Sequence, residues 1–154
     1  MLLKEALYED CPLIHSMQTE AFSEMYLKYR DDATSPAKES EEKIREKFCQ
    51  PYTKYYLILT DSGEAAGAVR VTDRKDGSRR RVSPIFILKQ YRGQGLATAV
   101  FAELEKIYGP DRWALDTILQ EEGNCRLYER LGYRKTGKTE KINDRMDIVF
   151  YEKN

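Results

Sequence analysis

Apolar residues recur along the chain with two periods, one helical and one of strands. A short strand is expected over residues 2–8. Behind it Leu13, Ile14, Met17, Ala21 and Met25 fall at helical spacing, with Asp10 as N-cap, and predict a helix running to about Tyr26. Arg30–Ser35 reads as a loop. Ser35-Pro36 has the form of an N-cap followed by proline at the first helical position, so a second helix is expected there, with Ile44 and Phe48 facing the core. From Tyr55 the period shortens. Tyr55–Thr60, Ala65–Thr72 and Arg79–Leu88 read as three strands. They are joined at Asp61-Ser62-Gly63 and Lys75-Asp76-Gly77-Ser78, where glycine permits the positive φ of a hairpin turn.

The helical period then returns. Leu96, Ala97, Val100, Phe101, Leu104, Ile107 and Tyr108 form a wide apolar stripe ended by Gly109-Pro110. Trp113–Ile118 is the next strand, Asn124–Leu131 a short helix stopped by Gly132, and Tyr133–Thr139 with Met146–Tyr151 a closing strand pair around Asn143-Asp144. Strand, helix and strand in succession imply a right-handed crossover and one parallel pair. The pattern is that of a mixed α/β (α+β) domain with a mostly antiparallel sheet, and residues 1–154 form one domain. Pro84 inside a strand removes a ladder donor and points to a bulge.

Composition narrows the function classes. A chain of 18.0 kDa is expected to fold into a surface of about 8,000 Å² from about 26,000 Å² unfolded, enough for a core without staples. Lys and Arg number 26, as do Asp and Glu. That balance argues against a nucleic-acid partner. No apolar run approaches the roughly 20 residues needed to span a bilayer, and Met1-Leu2-Leu3-Lys4-Glu5 does not read as a signal peptide. Cys11, Cys49 and Cys125 are an odd, scattered set, which favours a reducing, cytoplasmic location. A single histidine, His15, speaks against Ser-His-Asp chemistry and multi-His metal sites, so no metal is expected.

Candidate chemistry concentrates at Arg92-Gly93-Gln94-Gly95-Leu96-Ala97, where a strand feeds a helix. The first turn of a helix carries N–H groups without intrahelical partners, and the helix dipole adds positive potential. Glycines let a ligand approach that backbone, and Arg92 adds charge, so the turn suits a phosphate or pyrophosphate. It is not a P-loop, because Gly95-Leu96-Ala97 stands where Gly-Lys-Ser/Thr is required. A dinucleotide fingerprint is matched in part by Gly93 and Gly95, with Asp116 about twenty residues on as a ribose-binding acid. On that reading the chain would be a nucleotide-binding oxidoreductase. Against it, a meander precedes the motif.

With a second motif, the sequence resembles the GNAT superfamily of acetyltransferases. Arg92 to Ala97, preceded by Ile85-Phe86-Ile87-Leu88, is similar to the family's Arg/Gln-x-x-Gly-x-Gly/Ala signature. Asn124, Tyr128, Gly132 and Tyr133 are similar to its second element, and the element order agrees over nearly the whole chain. The resemblance implies a GNAT-like fold with helices on both faces, in which the parallel fourth and fifth strands splay apart. It implies acetyl-CoA as co-substrate, with its arm along Phe86, Ile87 and Leu88. The pyrophosphate would rest on backbone N–H groups from Arg92 through Gly93, Gln94, Gly95, Leu96 and Ala97 to Thr98, and Asn124 would bond the arm. One amide near Ile87 or Leu88 would polarise the thioester carbonyl.

Tyr128 is then the candidate general acid for the departing thiolate. A phenol is ordinarily a weaker acid than a thiol, so the transfer is uphill by roughly 2 kcal/mol, which a site can offset. The base is less defined. Deprotonating an alkyl ammonium at pH 7 costs about 4.6 kcal/mol, and Arg81–Phe86 contains no acid. Asp116 is one substitute; Tyr26, Glu20 and His15 are others. Without a base, the alternative is a module that binds acyl-CoA without turnover. An acyl-cysteine route through Cys125 lacks a histidine to activate it.

Charge is also asymmetric. Residues 1–50 carry 11 acids and 7 bases, residues 51–154 carry 15 and 19. The basic part holds the phosphate turn. The acidic part, which the resemblance places at the acceptor wall, would attract a small-molecule amine through Asp31, Asp32, Glu39, Glu41 and Glu42. Exposed edge strands in the C-terminal half would allow a homodimer.

Overall fold

The computed structural model describes every residue from Met1 to Asn154. Its elements are β1 (Leu2–Glu5), α1 (Cys11–Tyr29), α2 (Glu41–Phe48), β2 (Thr53–Leu59), β3 (Ala65–Thr72), β4 (Arg80–Ile87), α3 (Leu96–Tyr108), β5 (Trp113–Ile118), α4 (Glu122–Arg130), β6 (Arg134–Asn143) and β7 (Met146–Lys153). One seven-stranded sheet has the order β1-β2-β3-β4-β5-β7-β6. Every neighbouring pair is antiparallel except β4 and β5, which are parallel as the crossover through α3 requires. The mixed sheet with one parallel junction is the architecture the hydrophobic pattern predicts.

Alternate residues of the central strands feed two cores. On one face Tyr56, Ile58, Val69, Val71 and Val82 pack with Val100, Phe101 and Leu104 of α3 and with Cys125 and Tyr128 of α4. On the other, Tyr55, Leu57, Ala68 and Phe86 pack with Ile14, Met17 and Ala21 of α1 and Ile44 of α2. Helices therefore cover both faces. The folded chain exposes 8640 Å², close to the expectation from its mass. No helix is long and apolar enough to cross a membrane.

Four local expectations are corrected. Asp10 holds the N-cap position of α1 as expected, but its carboxylate makes no bond to that helix; it accepts from Leu7 N–H at 2.8 Å and closes a short 3-10 turn ahead of it. The helix runs on to Tyr29, where Arg30 takes a left-handed conformation (φ 51) and donates its N–H to Tyr26 O. The helix expected from Ser35 is two pieces. Ser35 caps a 3-10 turn over Pro36–Lys38, and Ser40 restarts the chain by accepting from Lys43 N–H at 3.1 Å. Leu13, placed on the buried stripe by spacing, is exposed.

The bulge expected at Pro84 is present. Val69 pairs with Ile85 and Val71 with Val82, so Ser83 and Pro84 together oppose Arg70. Arg70 Nε donates to Ser83 O at 2.6 Å and holds the bulge.

Candidate active site

β4 and β5 pair only at Arg80 with Trp113 and Arg81 with Ala114, and then part. At the fork the Arg81 guanidinium forms an ion pair with the Asp116 carboxylate. Beyond it one edge of β4 is open. Leu88 N–H donates to Ala66 O at 2.7 Å, on the β3 side. Peptide groups alternate along a strand, so those of Ile85 and Ile87 face the gap instead. Arg92 Nε donates to Ile87 O at 2.8 Å, which leaves Ile87 N–H as the donor turned into the opening. Leu88 and Phe86 are thereby corrected as backbone contacts: the Leu88 amide is taken by Ala66 O, Phe86 pairs with Ala68, and both side chains are buried in the α1 core.

After β4 the chain makes a 3-10 turn over Lys89–Tyr91 and enters the glycine turn. Gly93 (φ 77) and Gly95 (φ 75) both adopt left-handed conformations, and a Cβ at either would meet nothing within 4 Å. None of the six N–H groups from Gly93 to Thr98 donates within the chain; the first α3 bond is Ala99 N–H to Gly95 O at 3.1 Å. This row of donors at the positive end of a helix fits a pyrophosphate. The Arg92 guanidinium also donates to Ala21 O at 3.0 Å, stitching the turn to α1.

The turn forms one end of a groove of about 640 Å³. Phe86, Ile87, Arg92, Gly93, Gly95, Leu96, Ala97, Thr98, Asn124 and Tyr128 lie on its wall, while Gln94 and Leu88 do not. Phe22 and Lys28 of α1 and Arg130 of α4, which sequence spacing did not mark, also line it, as does Met25, which spacing placed on the core stripe of α1. A second cavity of about 330 Å³ lies on the far side of the fork. The two share Phe22, Met25, Ile85, Asn124 and Tyr128 as a common wall.

Tyr128 is held in that wall by its neighbours. Its ring packs edge-on against Phe101 (5.7 Å between centroids) and Tyr133 (6.2 Å) and tilted against Tyr151. The residue is 8% exposed. Burial, and then the nearby Cys125 thiol, push the phenol up to about 12. No hydrogen-bonding partner within the chain contributes to that value. Cys125 itself sits against the carbonyls of Ile118 and Leu119.

The α1 part of the wall is fixed from its C-terminal end. Tyr29 Oη and Lys28 Nζ both donate to Glu121 at the start of α4, the latter at 2.9 Å. Asn143 Nδ2, in the β6–β7 turn, donates to Tyr29 O at 2.8 Å. Burial works against the Glu121 carboxylate, but the bonds from Tyr29 and Lys28 prevail and hold it below its ordinary range.

The proton-acceptor candidates separate cleanly. Asp116 lines the second cavity; His15, Glu20 and Tyr26 line neither. Tyr26 Oη instead donates to Asp32. Asp116 is absent from the glycine groove, so the ribose role of the dinucleotide reading is overturned. The acidic cluster also resolves into single residues. Glu39 pairs with Lys47, and Glu41 with Arg45 at 2.8 Å. Only Asp31 of the five reaches the second cavity. No three His, Cys, Asp or Glu side chains converge into a metal-binding set.

The acetyltransferase (GNAT) domain profile matches residues 18–154. No curated protein matches the sequence. Among solved structures, the fold is similar to that of a spermidine N-acetyltransferase from Vibrio cholerae in complex with CoA and spermine. The TM-score is 0.75 and the identity 18%, over 97% of this chain and 92% of that one. A chimera of the Vibrio cholerae enzyme gives a TM-score of 0.72 at 16% identity, over 98% and 94% of the two chains. A complex of that enzyme with manganese ions gives 0.70 at 14%, over 97% and 89%. At these identities the likeness is one of fold.

Proposed function

The chain belongs to the GNAT acetyltransferase family, whose members use acetyl-CoA, and from that premise we propose that it acetylates a primary amine of a small cationic molecule held in the second cavity. The observation that carries this reading is the wall that the two cavities share at Tyr128 and Asn124. Their electrostatics differ in the sense the reaction needs. The groove presents a row of unpartnered N–H groups, and on its wall Lys28, Arg92 and Arg130 outnumber Glu24 and Glu121, which suits a polyanion. The second cavity presents Asp31, Asp116 and Glu140 and no Lys, Arg or His. Such a wall concentrates cationic amines.

Acetyl-CoA supplies the acetyl group, activated as a thioester. The N–H groups from Gly93 to Thr98 cradle its phosphates, and Asn124 bonds its arm. Ile87 N–H donates to the acetyl oxygen as charge builds there. Asp116, oriented by Arg81, accepts the ammonium proton, directly or through a bridging water. Tyr128 holds a proton at Oη for the departing sulfur. Burial that disfavours a phenolate also disfavours a bare thiolate, so the proton passes between two groups weakened alike as acids.

Melting the protein with acetyl-CoA, CoA and NADH tests the assignment of the groove. A ligand at 100 times its Kd adds about 2.7 kcal/mol, a rise of roughly 5–10 °C for a chain of this size. A rise with acetyl-CoA and CoA alone supports the reading. A rise with NADH alone, or with none, contradicts it.

A further inference from the structure

Asp31 is the one carboxylate of the second cavity that is both buried and without a cation. It is 7% exposed. Asp116 has Arg81, and Glu140 is exposed on β6. Asp31 Oδ2 accepts from Thr34 Oγ1 at 3.0 Å. Its Oδ1 has no partner in the chain, yet it is not enclosed, because the buried unpartnered side-chain atoms are Gln18 Oε1, Thr19 Oγ1 and Tyr55 Oη. Oδ1 is thus accessible and unbonded on a residue that lines the cavity.

The loop around it is fixed in advance. Asp31 O accepts from Thr34 N–H at 3.0 Å and from Ser35 N–H at 2.8 Å, and Ser35 caps the following turn. A buried carboxylate is costly unless a cation and hydrogen bonds compensate it. Here the chain supplies a hydroxyl and no cation, and the other oxygen is left for a group from outside the chain. Asp31 does not line the cofactor groove, whereas Tyr128 lines both cavities. The reactive end and this anchor are therefore different parts of the site. Much of the remaining wall is apolar, including Ile142, Met146, Ile148 and Phe150, which suits methylene groups.

We infer that Asp31 binds a second ammonium group of the acceptor, so that the acceptors are diamines and longer polyamines rather than monoamines. This rests on the acetyltransferase reading and adds to it a residue that selects the substrate class.

The test compares propane, butane and hexane diamines with the monoamines of the same lengths, in the wild-type chain and in Asp31→Asn. Thiol release gives kcat and KM, and calorimetry on the CoA-saturated protein gives binding without turnover. Stabilisation of Asp31→Asn by acetyl-CoA checks that the variant is folded. One charge-assisted contact corresponds to about 10- to 100-fold in affinity. The wild-type chain is expected to prefer a diamine over its matched monoamine by that factor, with an optimum length. Asp31→Asn is expected to remove the preference through KM and Kd, with kcat kept. Equal use of diamines and monoamines, or a steady gain with length in both series, would overturn the inference while leaving the acetyltransferase reading intact. Asp31-dependent diamine binding without any thiol release would sustain the anchor and sink the reading. No diamine binding in the CoA-saturated protein would overturn the anchor whatever the turnover.

Discussion

Arg81 on β4 and Asp116 on β5 form an ion pair at the point where the two strands part. The pair closes the paired segment and places a carboxylate on the wall of the second cavity. Asp116→Asn keeps the shape and removes the charge, and is expected to lower kcat/KM for amines by at least tenfold at pH 7. Acetyl-CoA stabilisation should be unchanged, because Asp116 lies outside the groove. Equal loss of cofactor binding would show that the pair merely supports the fork.

Tyr128→Phe is expected to lower kcat by about 10²–10⁴ and to alter stability by no more than roughly 0.5 kcal/mol, since the phenol owes its raised value to burial and Cys125 rather than to a hydrogen bond. Rates on an amine panel and melting curves read these separately. Full activity in the variant would leave a GNAT fold without this acid.

The same phenol predicts an alkaline limit. Its value in the folded chain, about 12, lies above the ordinary value of about 10. The unfolded chain therefore loses the proton first. The contribution to stability is complete below pH 10 and is lost as pH rises toward 12. Tyr55 and Tyr133, also raised by burial, add to the slope. Melting temperatures should hold between pH 7 and 9 and fall above 10, less steeply in Tyr128→Phe.

Glu121 predicts the acid side. Its carboxyl is held below the ordinary range because the bonds from Tyr29 and Lys28 outweigh burial. Its stabilisation is present above the unfolded value of about 4.3 and is lost as pH falls through the folded one. Glu121→Gln should flatten the acid limb of the stability profile and weaken amine binding, because α1 would no longer be tied to α4. An unchanged acid limb would remove this clamp from the account.

Two glycines separate space from backbone strain. A Cβ on Gly67 would lie 2.0 Å from Phe86 O, so Gly67→Ala must push β3 off β4. A loss of about 1–3 kcal/mol is expected, together with weaker acetyl-CoA binding through the displaced β4 edge. At Gly95 (φ 75) the space is open, so Gly95→Ala should cost about 1–2 kcal/mol from the left-handed backbone alone. A Gly67→Ala loss smaller than that of Gly95→Ala, or Gly67→Ala with unchanged acetyl-CoA binding, would contradict the distinction.

What the sequence disclosed follows from the range of the forces involved. Strand and helix periods, the hairpin glycines and the unpartnered amides of the α3 turn are local, so they are readable from residues 55–118 alone. Leu88 was misplaced because motif position does not tell which edge of a strand a peptide group faces; its bond to Ala66 O does. Phe22 and Met25 join Tyr128 only when α1 crosses the fork, about a hundred residues away in sequence. Asp31 looked like its acidic neighbours. Glu41 and Glu39 find Arg45 and Lys47, whereas Thr34 and Ser35 fold the loop so that Asp31 alone turns inward. Gln18 Nε2, bonded to Pro36 O and Glu39, fixes that loop in a way no apolar pattern signals.

The most direct measurement is thiol release from acetyl-CoA by the purified chain with cationic, neutral and acidic primary amines at equal concentration. The account predicts turnover that is highest with cationic amines and reduced by adding CoA. Turnover that favours acidic amines, or no release above the uncatalysed rate with any amine while acetyl-CoA still stabilises the fold, would contradict it.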